Sequence, residues 1–181
     1  MSVITTIQKG KYQLNSSLNV IIDTTIEFSL GENYILTGEN GIGKSSFISN
    51  LLIPNLSPNA INNFLLFYAS QDITIQYYVV KNYYNGLLNE KQDLSSIEKA
   101  IKLIKSKYVK FDKFPTQNIV FVLDEIDQYL QLNDFFQELN KSTYTIFLAT
   151  HNEDIIQTDI EFQKILFKKI TSSISKIYLL K

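Results

Sequence analysis

The stretch YILTGENGIGKSS, residues 34–46, joins a short apolar strand to a glycine-rich loop and then to helix-forming residues. Within it, Gly38, Gly43, Lys44 and Ser45 satisfy the spacing of a phosphate-binding loop, G-x-x-x-x-G-K-[ST]. Phosphate oxygens need several N–H groups that converge on one point, and glycine lets the backbone turn sharply enough to provide them. The N-terminus of the following helix adds further donors and partial positive charge. The residues predicted to hold the phosphates of a nucleotide are Gly38, Glu39, Asn40, Gly41, Ile42, Gly43, Lys44, Ser45 and Ser46.

Composition predicts one globular domain over residues 1–181, with 45% hydrophobic and 19% charged residues. The formal net charge of −1 gives no reason to expect a nucleic-acid partner, although a local basic patch could lie beneath that balance. The absence of cysteine excludes disulfides and thiolate metal sites. No apolar stretch reaches the roughly 18–20 residues that span a bilayer, and the N-terminus does not resemble a signal peptide. A cytoplasmic protein is therefore expected.

Apolar runs at 64–68, 119–123 and 144–149 fit strands covered on both faces, as in a parallel sheet. Alternating residues over 17–28 suggest earlier strands, and 174–180 suggests a last one. Helical candidates lie between these runs, at 44–52, 97–108, 135–140 and 154–157. The order predicts an α/β fold, in which a P-loop core of mostly parallel strands is flanked by helices and preceded by an antiparallel β annex.

Two carboxylates follow the apolar run at 119–123, where open α/β sheets bind ligands at the carboxyl ends of their strands. Asp124 is expected to hold Mg²⁺ through water, and Glu125 to act as general base toward the attacking water. Lys44 would complete the catalytic set by stabilising the phosphates. The alternative is a strand-ending turn with two solvated acids.

Three more residues are candidates because of where they follow or precede strands. His151, the only histidine, directly follows the run at 145–150 and is expected near the γ-phosphate, or else exposed in a loop. Gln71 follows the run at 64–68 and is expected to bind Mg²⁺ or orient water. Tyr12 is expected either to stack on adenine or to pack as an edge-strand aromatic.

Six features resemble an ATP-binding cassette (ABC) ATPase in their order along nearly the whole chain, most like a small transporter nucleotide-binding subunit: Tyr12, GENGIGKSS, Gln71, LSSIE at 94–98, FVLDE at 121–125 and ATH at 149–151. The resemblance implies that two subunits, identical or different, sandwich two ATP molecules with Mg²⁺, and that Ser95 of each contacts the nucleotide of the other. It also implies a shortened helical subdomain at about 72–117. Ile97 and Gln131 depart from the family pattern, and LSSIE equally fits a helix N-cap with a capping box.

Three functions follow from the resemblance. The first is an ATP hydrolase that powers a multi-span membrane subunit on the inner face of the cell membrane, with the tyrosine-rich segment 77–84 as a candidate contact. The second is a non-transport ABC ATPase of the SMC-like or OLD-like kind, in genome maintenance or defence. The third is a degenerate module that binds ATP and regulates a partner with little turnover.

Overall fold

An eight-stranded mixed β-sheet carries most of the structure, a computed structural model that describes residues 2–69, 118–125, 143–151 and 161–180. The helical segment after the phosphate loop consists of α1 (Lys44–Phe47), a π-helical turn (Ile48–Leu52) and α2 (Ile53–Asn63). The strands are β1 (Val3–Ile7), β2 (Gly10–Gln13), β3 (Asn19–Ile22), β4 (Ile26–Ser29), β5 (Tyr34–Thr37), β6 (Leu65–Ala69), β7 (Asn118–Asp124), β8 (Thr143–Ala149), β9 (Gln163–Thr171) and β10 (Ile174–Leu180). None of the described helices is long and apolar enough to cross a membrane.

The strand order of the large sheet is β2-β3-β10-β9-β5-β8-β7-β6. Its β6-β7-β8-β5-β9 half is parallel, whereas β2 pairs with β3 and β9 with β10 in antiparallel fashion. The two halves join where β10 runs parallel to β3 and antiparallel to β9. A separate two-stranded antiparallel sheet is formed by β1 and β4.

The predicted fold, a P-loop core of mostly parallel strands flanked by helices with an N-terminal antiparallel β annex, is wrong. The described chain is mostly β, a curled mixed sheet accompanied by the single helical segment 44–63. The physical reason is the C-terminal hairpin β9–β10, which lies between β5 and β3 and joins the N-terminal strands to the parallel ones. The predicted helices at 97–108, 135–140 and 154–157, and the helical subdomain at about 72–117, fall outside the described residues.

The core lies between the helical segment and one face of the large sheet. Phe47, Ile48 and Leu52 are fully buried there, and each contributes about 1.5–3 kcal/mol through burial. Phe147 of β8 stacks on Tyr34 with ring centroids 4.9 Å apart. This packing fixes the strand that precedes the phosphate loop against the helix that follows it.

The helix after the phosphate loop is irregular. In the π-helical turn, the Ile53 N–H donates to the Ile48 carbonyl, five residues back instead of four. Pro54 comes next and has no amide hydrogen, so a regular α-helical ladder cannot continue through it. The predicted helix at 44–52 is therefore present, but it widens there before it continues to Asn63.

Candidate phosphate and nucleotide site

The glycine-rich loop leaves β5 at Gly38 and enters α1 at Lys44. Two of its glycines are required by close packing. A Cβ on Gly38 (φ 144°) would lie 2.9 Å from the Phe167 carbonyl oxygen, and one on Gly43 (φ 106°) would collide with the Leu18 side chain. The loop is thus held between β9 on one side and the β2–β3 connection on the other.

The side chain of Lys44, the first residue of α1, reaches back into the loop, and the residue is only 3% exposed. Its Nζ donates to the carbonyl oxygens of Gly38 at 2.8 Å and Glu39 at 3.2 Å. Burial lowers the pKa of the ammonium group, and the negative charges of Glu125 and Asp124 oppose that shift. The loop therefore holds a cation whose charge is poorly solvated and available to an anion.

Ser45 and Asp124 meet across the site. The Ser45 hydroxyl donates to Asp124 Oδ1 at 3.0 Å, and Asp124, the last residue of β7, is 3% exposed. Burial raises the pKa of Asp124 to about 6, and the Glu125 charge adds to the rise. The hydrogen bond from Ser45 and the positive charge of Lys44 lower it again, by less than burial raises it.

A hydroxyl and a carboxylate oxygen side by side are suitable ligands for Mg²⁺, which keeps several waters and takes others from phosphate. The described residues hold no group of three or more His, Cys, Asp or Glu side chains that could bind a metal unaided. The pair Ser45 and Asp124 therefore fits a magnesium ion that arrives with a phosphate ligand.

Glu125 and His151 meet where the parallel strands β7 and β8 end. The Glu125 amide donates to the Ala149 carbonyl at 2.9 Å, and its φ of 54° lies in the left-handed region, which costs a residue with a side chain roughly 1–2 kcal/mol. His151 Nε2 lies 2.5 Å from Glu125 Oε1. Strained backbone of this kind collects at functional sites, because the surrounding structure enforces it.

A cavity of about 270 Å³ opens beside the loop, close to the lower end of the size range of small-ligand pockets. Its lining residues are Asn15, Ser17, Leu18, Gly41, Gly43, Lys44, Ser45, Ser46, Glu125 and Ser172. The loop, the lysine, the serine and Glu125 therefore share one cavity.

Four polar residues that line or support the cavity are absent from the sequence predictions. Asn15 and Ser17 come from the β2–β3 connection, and Asn15 Nδ2 donates to Ser46 Oγ at 3.2 Å. Ser172 comes from the β9–β10 turn. Ser175 of β10, 2% exposed, donates its hydroxyl proton to the Ile42 carbonyl at 3.0 Å and so fixes a peptide of the loop. The polar residues of the Asn15–Ser17 turn were a weak indication in the sequence that this turn contributes to the site. Nothing in the sequence indicated that β10 would lie beside the loop.

Other predicted residues lie elsewhere or outside the described chain. The Tyr12 hydroxyl donates to the Gln8 carbonyl at 2.6 Å, and its ring packs against the core without lining the cavity. Glu39 and Asn40 are exposed on the loop. Gln71 and Ser95 fall outside the described residues, as does the segment 77–84.

A larger cavity of about 620 Å³ lies between β1 and α2 and shares no lining residue with the smaller one. The described residues that line it carry no ionisable side chain: Ser2, Val3, Ile4, Thr5, Thr6, Leu30, Pro54, Asn55, Pro58, Asn59 and Phe64. The buried Lys44 and the carboxylate of Glu125 line the smaller cavity, so the chemistry is assigned there.

Comparison with known proteins yields a likeness of fold. No protein-family model matches the chain, and no curated protein matches it. A chain in the crystal structure of the complex of archaeal ribosomal stalk protein aP1 and archaeal ribosome recycling factor aABCE1 matches with a TM-score of 0.55 and 15% identity, over 97% of this chain. A chain in a model of ribosome-bound archaeal Pelota and ABCE1 matches with a TM-score of 0.50 and 13% identity, over 98% of this chain.

This chain spans 39% and 34% of the length of those two chains, and at such identities the likeness shows the fold alone. The predicted membership of the ABC ATPase family, and the likeness to a transporter subunit in particular, is wrong as a family assignment. No family model supports it, and the described fold is a curled mixed sheet instead of the expected helix-flanked core.

Proposed function

We propose that this chain binds a nucleoside triphosphate together with Mg²⁺ and hydrolyses its terminal phosphate. The observation that carries the proposal is the convergence of a buried lysine, a serine–aspartate pair and a strained glutamate under one glycine-rich loop. Each group has a distinct task in phosphate chemistry, and the cavity beside them is open to a ligand.

Binding rests on the loop and on Lys44. The Gly38 and Glu39 carbonyls hold Nζ inside the loop, so the charge is positioned before a ligand arrives. Phosphate oxygens would accept hydrogen bonds from the loop amides and from Nζ. Ser45 and Asp124 would hold Mg²⁺, which supplies neutralisation of the phosphate charge that grows as the terminal phosphoryl group departs.

Glu125 is the proposed general base. Its carboxylate would take a proton from the attacking water as the new oxygen–phosphorus bond forms and the bond to the leaving phosphate breaks, releasing nucleoside diphosphate and inorganic phosphate. His151 Nε2, 2.5 Å from Glu125 Oε1, holds that carboxylate in place. The left-handed backbone of Glu125 sets the direction from which the carboxylate enters the site.

ATP is the nucleotide that we propose for the phosphate-binding loop at 38–46. A paired arrangement of two subunits around the nucleotide, with a multi-span membrane partner as the driven component, is a further proposal from the sequence. Its candidate residues, Ser95 and the segment 77–84, lie outside the described residues.

The test compares steady-state hydrolysis and nucleotide affinity in the wild type and Glu125→Gln. We expect hydrolysis to fall about 10²–10⁴-fold while the affinity for Mg-ATP changes by only a few-fold, because the amide cannot accept the proton. Glu27→Gln, an exposed change on β4, is the matched control and should leave both quantities unchanged.

Two outcomes would overturn the proposal. Equal hydrolysis rates in the wild type and Glu125→Gln would remove Glu125 as the base. Failure of the wild type to bind Mg-ATP, Mg-GTP or inorganic triphosphate by calorimetry would remove the phosphate site itself.

A further inference from the structure

One face of the sheet carries a row of lysines that the nucleotide site does not use. Strand register aligns Lys11 of β2, Ile21 of β3, Lys176 of β10 and Lys168 of β9 across four neighbouring strands. Because side chains two apart on a strand share a face, Lys164 and Tyr178 belong to the same side. We name this surface the lysine face, made of Lys11, Lys164, Lys168, Lys176 and Tyr178.

The alternate residues of the same two strands point into the protein. Ile165 and Phe167 of β9 and Ser175 and Ile177 of β10 are all buried, between 0% and 3% exposed. Lys168 is exposed, and Lys176, Tyr178 and Lys164 are partly exposed. The lysine face is therefore the outer surface of the part of the sheet whose inner surface holds the phosphate loop.

Positive charges are concentrated on this face although they repel one another. Lys168 and Lys176 lie directly opposite each other on β9 and β10, and like charges in that position are destabilising. Their Nζ atoms lie 5.6 and 5.2 Å from the centroid of the Tyr178 ring, within the range of a cation–π contact. Lys176 also contacts Asp23, and that hydrogen bond raises the pKa of Lys176, so the ammonium group stays charged.

The spacing suits a linear polyanion. Neighbouring strands lie about 4.8 Å apart, so the row from Lys11 to Lys168 extends about 15 Å across the sheet. Single-stranded nucleic acid combines a phosphate chain for the lysines with bases that stack on an aromatic ring, and proteins bind it without sequence preference through those two features. Tyr178, two residues along β10 from Lys176, favours this ligand over an acidic protein segment.

We propose that the lysine face binds single-stranded nucleic acid, with Lys11 and Lys168 contacting phosphates and Tyr178 stacking on a base. This binding is independent of nucleotide hydrolysis, since it uses the opposite face of the same strands. The net charge of −1 does not reveal the lysine face, because acidic residues elsewhere in the chain balance these lysines.

The experiment measures fluorescence anisotropy of a labelled oligothymidylate of about 20 nucleotides against the full chain, from about 50 to about 200 mM salt. We expect the double variant Lys11→Gln/Lys168→Gln to bind about ten-fold more weakly than the wild type. Its log–log salt slope should be shallower by about 1.4, because each phosphate contact on a single strand contributes about 0.7. Tyr178→Leu should weaken binding about ten-fold with no change in that slope, since stacking releases no counterion.

Lys169→Gln is the matched control. Lys169 lies next to Lys168 and is exposed, but it pairs with the buried Ser175 and so lies on the other face of β9. We expect it to bind like the wild type. Thermal unfolding of every variant confirms that the sheet is intact, since these are exposed or partly exposed positions.

The proposal fails if the wild type does not bind the oligonucleotide at about 50 mM salt. It also fails if Lys169→Gln weakens binding as much as the double variant Lys11→Gln/Lys168→Gln does. Binding would then depend on positive charge in general and not on the lysine face. Tighter binding to a duplex than to the single strand would refute the role of Tyr178. Retention on phosphatidylserine vesicles without oligonucleotide binding would assign the face to a lipid surface instead.

Discussion

Asp124 gives the sharpest test of the site, since its ionisation lowers the free energy of unfolding of the unliganded protein in a pH-dependent way. Burial raises its pKa from 3.8 to about 6. A carboxyl whose pKa is higher in the folded than in the unfolded state stabilises folding only while it is protonated. Its contribution is fully present below pH 3.8 and is lost as the pH rises through about 6.

The size of the effect follows from the shift of about two pKa units, at about 1.4 kcal/mol per unit. Ionised Asp124 therefore costs the folded protein about 3 kcal/mol at pH 7, and less than about 1 kcal/mol at pH 4. Asp124→Asn removes the charge and keeps an oxygen that can accept the Ser45 hydrogen bond. We expect the variant to be about 1–3 kcal/mol more stable than the wild type at pH 7, with the lower value if the new amide hydrogens lack partners.

The assay is urea unfolding of both proteins without nucleotide, at several values between pH 4 and pH 8. The stability difference should grow with pH and level off above pH 7. Glu27→Gln is the control, because Glu27 is exposed on β4 and its substitution should stay within about 0.5 kcal/mol of the wild type. A difference that does not change with pH, or an Asp124→Asn variant less stable than the wild type at pH 7, would refute this account of the site.

Addition of Mg-ATP should reduce this difference in stability. A ligand that binds only the folded state stabilises by about 2.7 kcal/mol at a hundred times its dissociation constant. The wild type should gain that stabilisation, whereas Asp124→Asn should gain less because it lacks the carboxylate for Mg²⁺. The Asp124 carboxylate would then destabilise the nucleotide-free protein and stabilise the nucleotide-bound protein, a trade-off common at functional sites.

Two further predictions concern the surroundings of the loop. Ser175→Ala removes the hydrogen bond to the Ile42 carbonyl and should raise the KM for Mg-ATP several-fold with little change in kcat. Ser175→Thr keeps the hydroxyl and should restore the KM. A fall in kcat alone would show that Ser175 does not position the loop. Thr37→Val should raise stability by about 1 kcal/mol, or roughly 2–4 °C in Tm, because the buried Thr37 hydroxyl has no hydrogen-bond partner among the described residues; a lower Tm would show that it has one.

The sequence predicted those parts of the site that depend on local spacing. The loop at 38–46 follows β5 and enters a helix as the motif requires. Asp124 and His151 lie at the ends of adjacent parallel strands, as two apolar runs followed by polar residues suggest. What a run of apolar residues cannot show is which strand will be its neighbour, because every buried strand has much the same composition.

The errors follow from that limit. β3 and β4 are close in sequence but lie in different sheets, and β10 enters the large sheet beside β3 in place of β4. That arrangement joins β2 and β3 to the sheet that contains the parallel strands, and it brings Ser175 to the loop. Tyr12 shows the same limit on a smaller scale, since its position before a strand gave two alternatives and the contact with the Gln8 carbonyl corresponds to the packed one.

The hairpin β9–β10 explains why the two proposed surfaces can be tested separately. Along each strand alternate residues face opposite ways, so Phe167 and Ser175 contact the loop while their neighbours Lys168 and Lys176 face outward. A change on the outer face removes charge without touching the packing of the loop. A change at Ser175 alters the loop and leaves the lysine face with all its charges. If Lys168→Gln altered the KM for nucleotide as strongly as Ser175→Ala, the faces would be coupled through the strand, and their separate assignment would have to be abandoned.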